Sequence, residues 1–370
     1  MKKTNQRDLE KRFPTLLLKW NKEKNNRQMP WKGEKDPYKI WLSEIILQQT
    51  RVEQGLKYYN KFINIFPDID KLAKAADKKI FKMWEGLGYY TRCRNLIATA
   101  RYISKERKGK FPVTYNQIKA LKGVGPYTAA AISSFAFNLP HAVLDGNVFR
   151  VLARMFGIDK PVDATAGKKY FASLADRLLD KEQPGLYNQA IMDFGAVVCK
   201  PVSPVCSECI FRKSCFAFLN NKVNELPVKK KKISIRKRWF YYLVLEHENK
   251  PDSYRVAIRL RMVKDIWQGL YEFPLIETAI EVDAKIILKE AEKNKWVLKK
   301  CYEVMSVSPG YKQQLSHQLI SGRFIKISLK KKPKMSNVWL WVIKNRIGKY
   351  AFPQFINQYL REKTGQKSLF

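Results

Sequence analysis

A lone acid in an apolar run is the first residue of this sequence with a chemical reading. Glu44 stands in IWLSEIILQQT, among Ile40, Trp41, Leu42, Ile45, Ile46 and Leu47. A carboxylate among such neighbours has its charged form disfavoured and its pKa raised, which suits a general acid near neutral pH. The competing arrangement turns Glu44 to solvent on a partly exposed helix. A second acid, Asp145, lies in VLDGNVFRVLARMFG just ahead of a predicted helix. On its own it reads as an N-cap, worth about 1 kcal/mol.

Four of the six cysteines fall within residues 199–215. Cys199, Cys206, Cys209 and Cys215 are spaced C-x6-C-x2-C-x5-C, and thiolates at such intervals can wrap one tetrahedral ion or one cubane cluster. Structural zinc usually shows two close pairs. Here only one pair is close, which favours an iron–sulfur cluster. Lys200, Arg212 and Lys213 lie in or beside this loop, suited either to DNA phosphates or to offsetting the charge of a thiolate cluster. Cys93 and Cys301 are remote and read as packing residues. A third feature is LKGVGPYTAAAI at 121–132. Gly123 and Gly125 permit a tight turn and close backbone approach to an anion, and the helix N-terminus that follows adds free N–H groups. With the helix before it, this segment resembles a helix-hairpin-helix DNA-binding element, spanning about 115–133.

The elements that must position these groups change character midway. Before residue 230, segments such as DKLAKAADKKIFKMWEGLGYY carry apolar residues three and four apart, the spacing of short helices. Residues 226–238, LPVKKKKISIRKR, place seven basic residues in their last ten positions and read as a solvated linker or a tether along phosphates. Beyond it the period becomes two. Val256, Ile258 and Leu260 point one way and Arg255, Arg259 and Arg261 the other. WFYYLVL, GRFIKISL and NVWLWVI are further strands, and 283–294 and 353–363 are helices. The 370 residues carry 71 Lys and Arg against 33 Asp and Glu, a formal charge of +38, which favours polyanionic partners. No signal-peptide core or apolar stretch of membrane-spanning length is visible, so a cytoplasmic monomer acting on the nucleoid is expected.

Taken together, SEIILQQT, GVGPYTAAAI, LDGNVFRVLAR and the cysteine spacing occur in an order that resembles the adenine DNA glycosylases, the MutY family of the helix-hairpin-helix superfamily. MPWKGEKDPYKIWLSEIILQQTRV, MWEGLGYYTRCRNL and YNQAIMDFGAVVC support it. The resemblance implies an all-α helix-hairpin-helix glycosylase domain over 1–225 with an iron–sulfur loop. The basic linker at 226–238 leads to an α+β Nudix-like lesion-recognition domain at 239–363, where WQGLYEFPL fits the pattern and no Glu-rich Nudix box appears. The implied activity is excision of adenine mispaired with 8-oxoguanine or guanine, by base flipping and hydrolysis of the N-glycosidic bond. The implied cofactor is one 4Fe–4S cluster. An endonuclease III-like enzyme acting on oxidised pyrimidines and a non-catalytic iron–sulfur DNA-binding protein are the alternatives.

By the same resemblance, Glu44 protonates adenine at N7 and Asp145, ionised ahead of its helix, stabilises the oxocarbenium-like sugar. Tyr127 and Asn147 line the pocket. Relatives that also cleave the strand carry lysine where this hairpin has Tyr127, and a phenol cannot form the Schiff base that β-elimination needs, so a monofunctional enzyme is expected. Gln49 and Tyr89 match the intercalating residues, and Gly123, Gly125, Arg27 and Lys32 belong to the implied DNA-binding set. Lys32 replaces a usual arginine and loses its planar fork. Ser316 and His317 in LSHQ match the loop that meets 8-oxoguanine, with Leu315 where phenylalanine is frequent. The terminal QKSLF resembles the pentapeptide that docks on bacterial sliding clamps, through Gln366, Leu369 and Phe370.

Overall fold

The computed structural model describes residues 3–230, 234–250 and 253–364. They form two compact units, Met1–Lys74 with Arg94–Lys232 and Ala75–Cys93 with Ile233–Phe370. Among the described residues every strand lies at or beyond Arg236. Before it run α1 (Lys3–Lys24), α2 (Pro37–Leu47), α3 (Val52–Ile65), α4 (Ile69–Lys74), α5 (Asp77–Trp84), α6 (Tyr90–Glu106), α7 (Tyr115–Lys119), α8 (Pro126–Phe137), α9 (Gly146–Phe156), α10 (Thr165–Leu178), α11 (Pro184–Val197) and the short α12 (Phe216–Leu219). None of the described helices is long and apolar enough to cross a membrane.

Two helices of the first unit position its chemistry. In α2, Asp36 caps the N-terminus by accepting the Tyr38 N–H at 2.9 Å, and Pro37 occupies the first turn, where its missing N–H costs nothing. Nearly the whole of α2 is buried, Tyr38 and every residue from Ile40 to Ile46. It is a core helix, and Glu44 therefore has no solvent face to turn to. Helix α9 buries Val148, Val151, Leu152 and Met155 along one side and ends at Gly157, whose φ of +64° is the left-handed C-cap conformation. Its neighbours α1, α10 and α11 share one core, in which Phe13 stacks on Phe211 at 4.8 Å and Trp20 meets Phe194 edge-on at 5.0 Å.

The second unit is α+β. Its sheet contains β1 (Arg236–Lys250), β2 (Ser253–Leu260), β3 (Tyr271–Glu272), β4 (Leu275–Thr278), β5 (Tyr302–Val307), β6 (Tyr311–Gln314), β7 (Gln318–Leu329) and β8 (Trp339–Ile343). The order is β3-β2-β1-β7-β5, with β4 on β1, β6 on β7 and β8 on β2. Strands β1 and β7 pair in parallel and the others antiparallel. Helix α13 (Ala284–Lys293) packs Ile287 and Ala291 against Tyr241, Leu243, Ile325 and Ile327. Helix α14 (Gln354–Thr364) puts Phe355 and Tyr359 against Phe324. The segment Ala75–Cys93 packs here too. The Glu85 carboxylate accepts the Phe352 N–H at 2.8 Å and the Asn357 amide at 3.0 Å.

Two sequence readings change. Strand β1 starts at Arg236, so the last residues of the basic run are strand rather than linker. Arg238 is buried, held by Glu277 at 2.6 Å and Asp265 at 2.8 Å, and so is not a phosphate tether. The two-residue alternation of β2 also does not sort apolar-in from charged-out. Leu260 is exposed, whereas Arg261 is buried against Glu272 at 2.8 Å. Carboxylates from neighbouring segments, invisible to a local pattern, make burial of these arginines tolerable.

The β1–β7 pairing leaves no room at Gly322, where a Cβ would lie 1.9 Å from the Phe240 carbonyl oxygen. Gly322→Ala should therefore cost roughly 1–3 kcal/mol, read as a lower urea midpoint. An unchanged midpoint would contradict this strand packing.

Candidate active site

Helices α2 and α8 pack together and bring Glu44 to Tyr127, in the first turn of α8. The Tyr127 hydroxyl lies close enough to Glu44 to act on its ionisation. Glu44 is 8% exposed, and its pKa is pushed up to about 7. Burial is the main cause. The Tyr127 hydroxyl opposes it by favouring the ionised form, and the negative charge of Asp145 adds to it. Tyr127 is itself held well above the usual phenol range, by burial first and then by Glu44 and Asp145. Its hydroxyl also meets Met192 Sδ at 3.5 Å. Glu44, Tyr127 and Asp145 thus form one electrostatic cluster.

Asp145 is the N-cap of α9. Its Oδ1 accepts the Val148 N–H at 2.8 Å and its Oδ2 accepts the Asn147 side-chain amide at 2.8 Å. Burial raises its pKa, while these donors, the Asn147 N–H and the Arg150 charge pull it down. Burial outweighs them, so the carboxyl lies above its ordinary range rather than being favoured as the ion. The two acids still differ in kind: Asp145 accepts from N–H donors, whereas the one polar group that favours ionisation of Glu44 is a phenol.

The cap connects onward. Asn147 Oδ1 accepts from Arg150 Nη2 at 2.8 Å, and Arg150 donates through Nη2 to the Gly195 carbonyl and through Nε to the Cys199 carbonyl, each at 2.7 Å. A Cβ at Gly195 would come within 2.6 Å of the Asn147 Cβ, so glycine is needed for α11 to approach. One turn along α9, buried Arg154 donates to the carbonyls of Lys200 at 2.7 Å and Leu226 at 3.1 Å. A chain of hydrogen bonds therefore runs from Asp145 to the backbone of the first cysteine. Sequence reading did not single out Arg150, Arg154 or Gly195. The available signal was a pair of arginines four apart on an otherwise apolar helix.

All four cysteines of the spaced set line one cavity, together with Arg154, Met155 and Phe194. They are free thiols. Among the described residues no three metal-ligating side chains converge on a single ion position. Four sulfur donors around a shared cavity fit a cluster.

The other predicted residues fall in three places. Arg27 and Lys32 both bind Asp193 of α11, at 2.8 and 3.1 Å, with Asn25 and Gln189 completing the shell of that fully buried carboxylate at 2.9 and 3.0 Å. Gln49 is exposed in the turn after α2 with φ +58°, a conformation that costs a non-glycine residue energy and often marks function. The α7–α8 hairpin has Gly123 at φ +82°, with Asn95 filling the space a Cβ would need, and Gly125 as the N-cap of α8. In the second unit Tyr89 is 46% exposed with φ +46°, and its hydroxyl hydrogen-bonds Ser316. Ser316 and exposed His317 form the turn between β6 and β7, closed by the Leu315 N–H on the Gln318 carbonyl at 2.7 Å. Gln366, Leu369 and Phe370 lie outside the described residues.

Comparison with known proteins accords with this geometry. Residues 42–174 match the HhH-GPD superfamily of base excision DNA repair proteins. A thermostable thymine-DNA glycosylase has the same fold over 58% of this chain and 99% of its own, with 29% identity and a TM-score of 0.54. The adenine DNA glycosylase of Arabidopsis thaliana is 33% identical over 78% of this chain and 52% of its own length. That of Buchnera aphidicola subsp. Baizongia pistaciae is 36% identical over 310 residues, 82% of this chain and 83% of the relative. With similarity of that extent across both chains, this protein belongs to the adenine DNA glycosylase family.

Proposed function

We propose that the protein excises adenine from DNA, with a preference for adenine opposite 8-oxoguanine or guanine, as a monofunctional base excision repair enzyme. The observation that carries this reading is the buried Glu44 carboxyl, poised near neutral pH beside Tyr127 and Asp145. Adenine leaves poorly as an anion. With the base flipped out of the duplex, protonated Glu44 gives its proton to N7. The C1′–N9 bond then breaks with its electron pair moving to the base. The sugar gains oxocarbenium character, which ionised Asp145 stabilises. Water adds to C1′ and its proton returns to Glu44, leaving free adenine and an abasic site.

Tyr127 in the hairpin offers no amine for a Schiff base, which supports hydrolysis without strand cleavage. Exposed, strained Gln49 supports a role in filling the gap left by the base. The Tyr89–Ser316 contact supports a reading surface for the opposite base, with His317 beside it. Arg27 and Lys32 act through Asp193 and, on their exposed sides, on DNA phosphates. Cys199, Cys206, Cys209 and Cys215 would hold one 4Fe–4S cluster. Bound there, it would cross-link the loop that Arg150 and Arg154 tie to α9. The second unit is read as a Nudix-like lesion-recognition domain, and the terminal QKSLF as a sliding-clamp motif.

Glu44→Gln should keep mismatch binding and lose adenine release by about 10²–10⁴-fold, scored by alkali cleavage of an A:8-oxoguanine duplex. Turnover like the wild type would end the assignment. Single-turnover excision should also decline above about pH 7 as Glu44 loses its proton. It should decline on the acid side as Asp145 gains one. A rate still rising at pH 9 would exclude Glu44 as the acid. Cys206→Ser should lower bound iron and DNA affinity together, measured by metal analysis and a binding titration. Full iron content in that variant would exclude Cys206 as a ligand.

A further inference from the structure

The sheet of the second unit carries a cavity that the proposed adenine excision does not use. Helix α13 covers Tyr241, Leu243, Ile325 and Ile327. Towards the starts of β1 and β7, the same face opens into a cavity of about 400 Å³ lined by Lys237, Trp239, Lys312, Leu319, Ser321 and Arg323. Strand register explains the grouping. Trp239 pairs with Ser321 and Ser321 with Lys312, so one row across three strands places an indole, a hydroxyl and an ammonium side by side. In the next row Lys237 pairs with Leu319. Paired residues share a face, and neighbouring strands are only about 4.8 Å apart.

The charges are uneven. Arg323 is already engaged, donating to Glu281, the acid of the lining, at 2.9 Å. Lys237 and Lys312 are exposed, and among the described residues neither has a carboxylate within ion-pairing distance. Trp239 is half-buried, with its body against the α13 core. The cavity therefore combines an aromatic plane, an apolar side chain, a hydroxyl and two uncompensated ammonium groups, in a volume typical of small-molecule sites. An inorganic anion would leave the indole and Leu319 unused. Stacking next to cationic charge is how unpaired nucleotides are held.

We propose that this cavity binds a single nucleotide unit, with its base against Trp239 and its phosphate between Lys237 and Lys312. The unit comes either from a free mononucleotide or from an unpaired nucleotide of a DNA strand, the same chemistry in both cases. Leu319 lies two residues beyond His317, so a nucleotide held here sits on the strand that carries the Ser316–His317 turn. The proposal does not rest on adenine excision, because binding alone tests it.

Full-length protein would be titrated calorimetrically with dGMP, a five-nucleotide single strand and inorganic phosphate, alongside Lys312→Ala, the Lys237→Ala/Lys312→Ala double variant and Trp239→Phe. Circular dichroism would check that each variant is folded. The expected result is one dGMP bound per chain, at least tenfold tighter than phosphate. Affinity should fall tenfold or more in the double variant and measurably in the two single variants. Competition by the oligonucleotide assigns the site to strand DNA, and dGMP binding without competition assigns it to free nucleotide. Wild-type binding no tighter than phosphate, or equal binding by the folded double variant, overturns the proposal.

Discussion

A carboxyl group withdrawn from water is stable only if it stays neutral or finds donors for its charge. In this protein two acids in one cluster meet that requirement differently. Glu44, on a helix buried nearly all round, is held near neutrality by burial and by the charge of Asp145, against the pull of one phenol. Asp145 is partly buried, but it receives the N–H of Val148, the amide of Asn147 and the field of Arg150. The difference between the two acids follows from which partners each side chain meets. Both are carboxylic acids with nearly the same intrinsic acidity.

That constraint accounts for much of the first unit. Burial of α2 raises the Glu44 pKa, and the packing of α2 against α8 brings Tyr127 alongside. Helix α9 must begin at Asp145 so that its unsatisfied N–H groups face the carboxylate. Arg150 and Arg154 then use the same helix to hold the carbonyls of the cysteine loop, and Gly195 lets α11 come close enough to complete the contact. A disturbance in the loop thus has a continuous route of hydrogen bonds to the Asp145 cap.

The second unit solves a different problem. Its sheet buries Arg238 and Arg261 among Glu272, Asp265 and Glu277, an arrangement in which removing one partner would leave an uncompensated charge. Anchored by this network and by α13 and α14, the sheet presents the Ser316–His317 turn and the Trp239 cavity from neighbouring positions on β7. Segment Ala75–Cys93 adds Tyr89 to this unit from far away in the sequence, and its hydroxyl meets Ser316.

The chain of residues alone was enough to specify the helical first half, the sheet of the second and the spaced cysteine set, because each rests on local periodicity, on spacing or on a short motif. The start of β1 within a basic run, the inward turn of Arg238 and Arg261, and the exposure of Leu260 depended on carboxylates that approach only when distant strands pair. The same holds for Asp145, whose position as an N-cap is local but whose loss of water, strong enough to outweigh its N–H donors, is not. Arg27 and Lys32 look like free cations in the sequence, yet both meet Asp193, a residue more than 150 positions away whose burial only the packing of α11 creates. Spacing can bring the right side chains to one turn of helix. Only the packed interior decides how much water each one loses, and with that its charge.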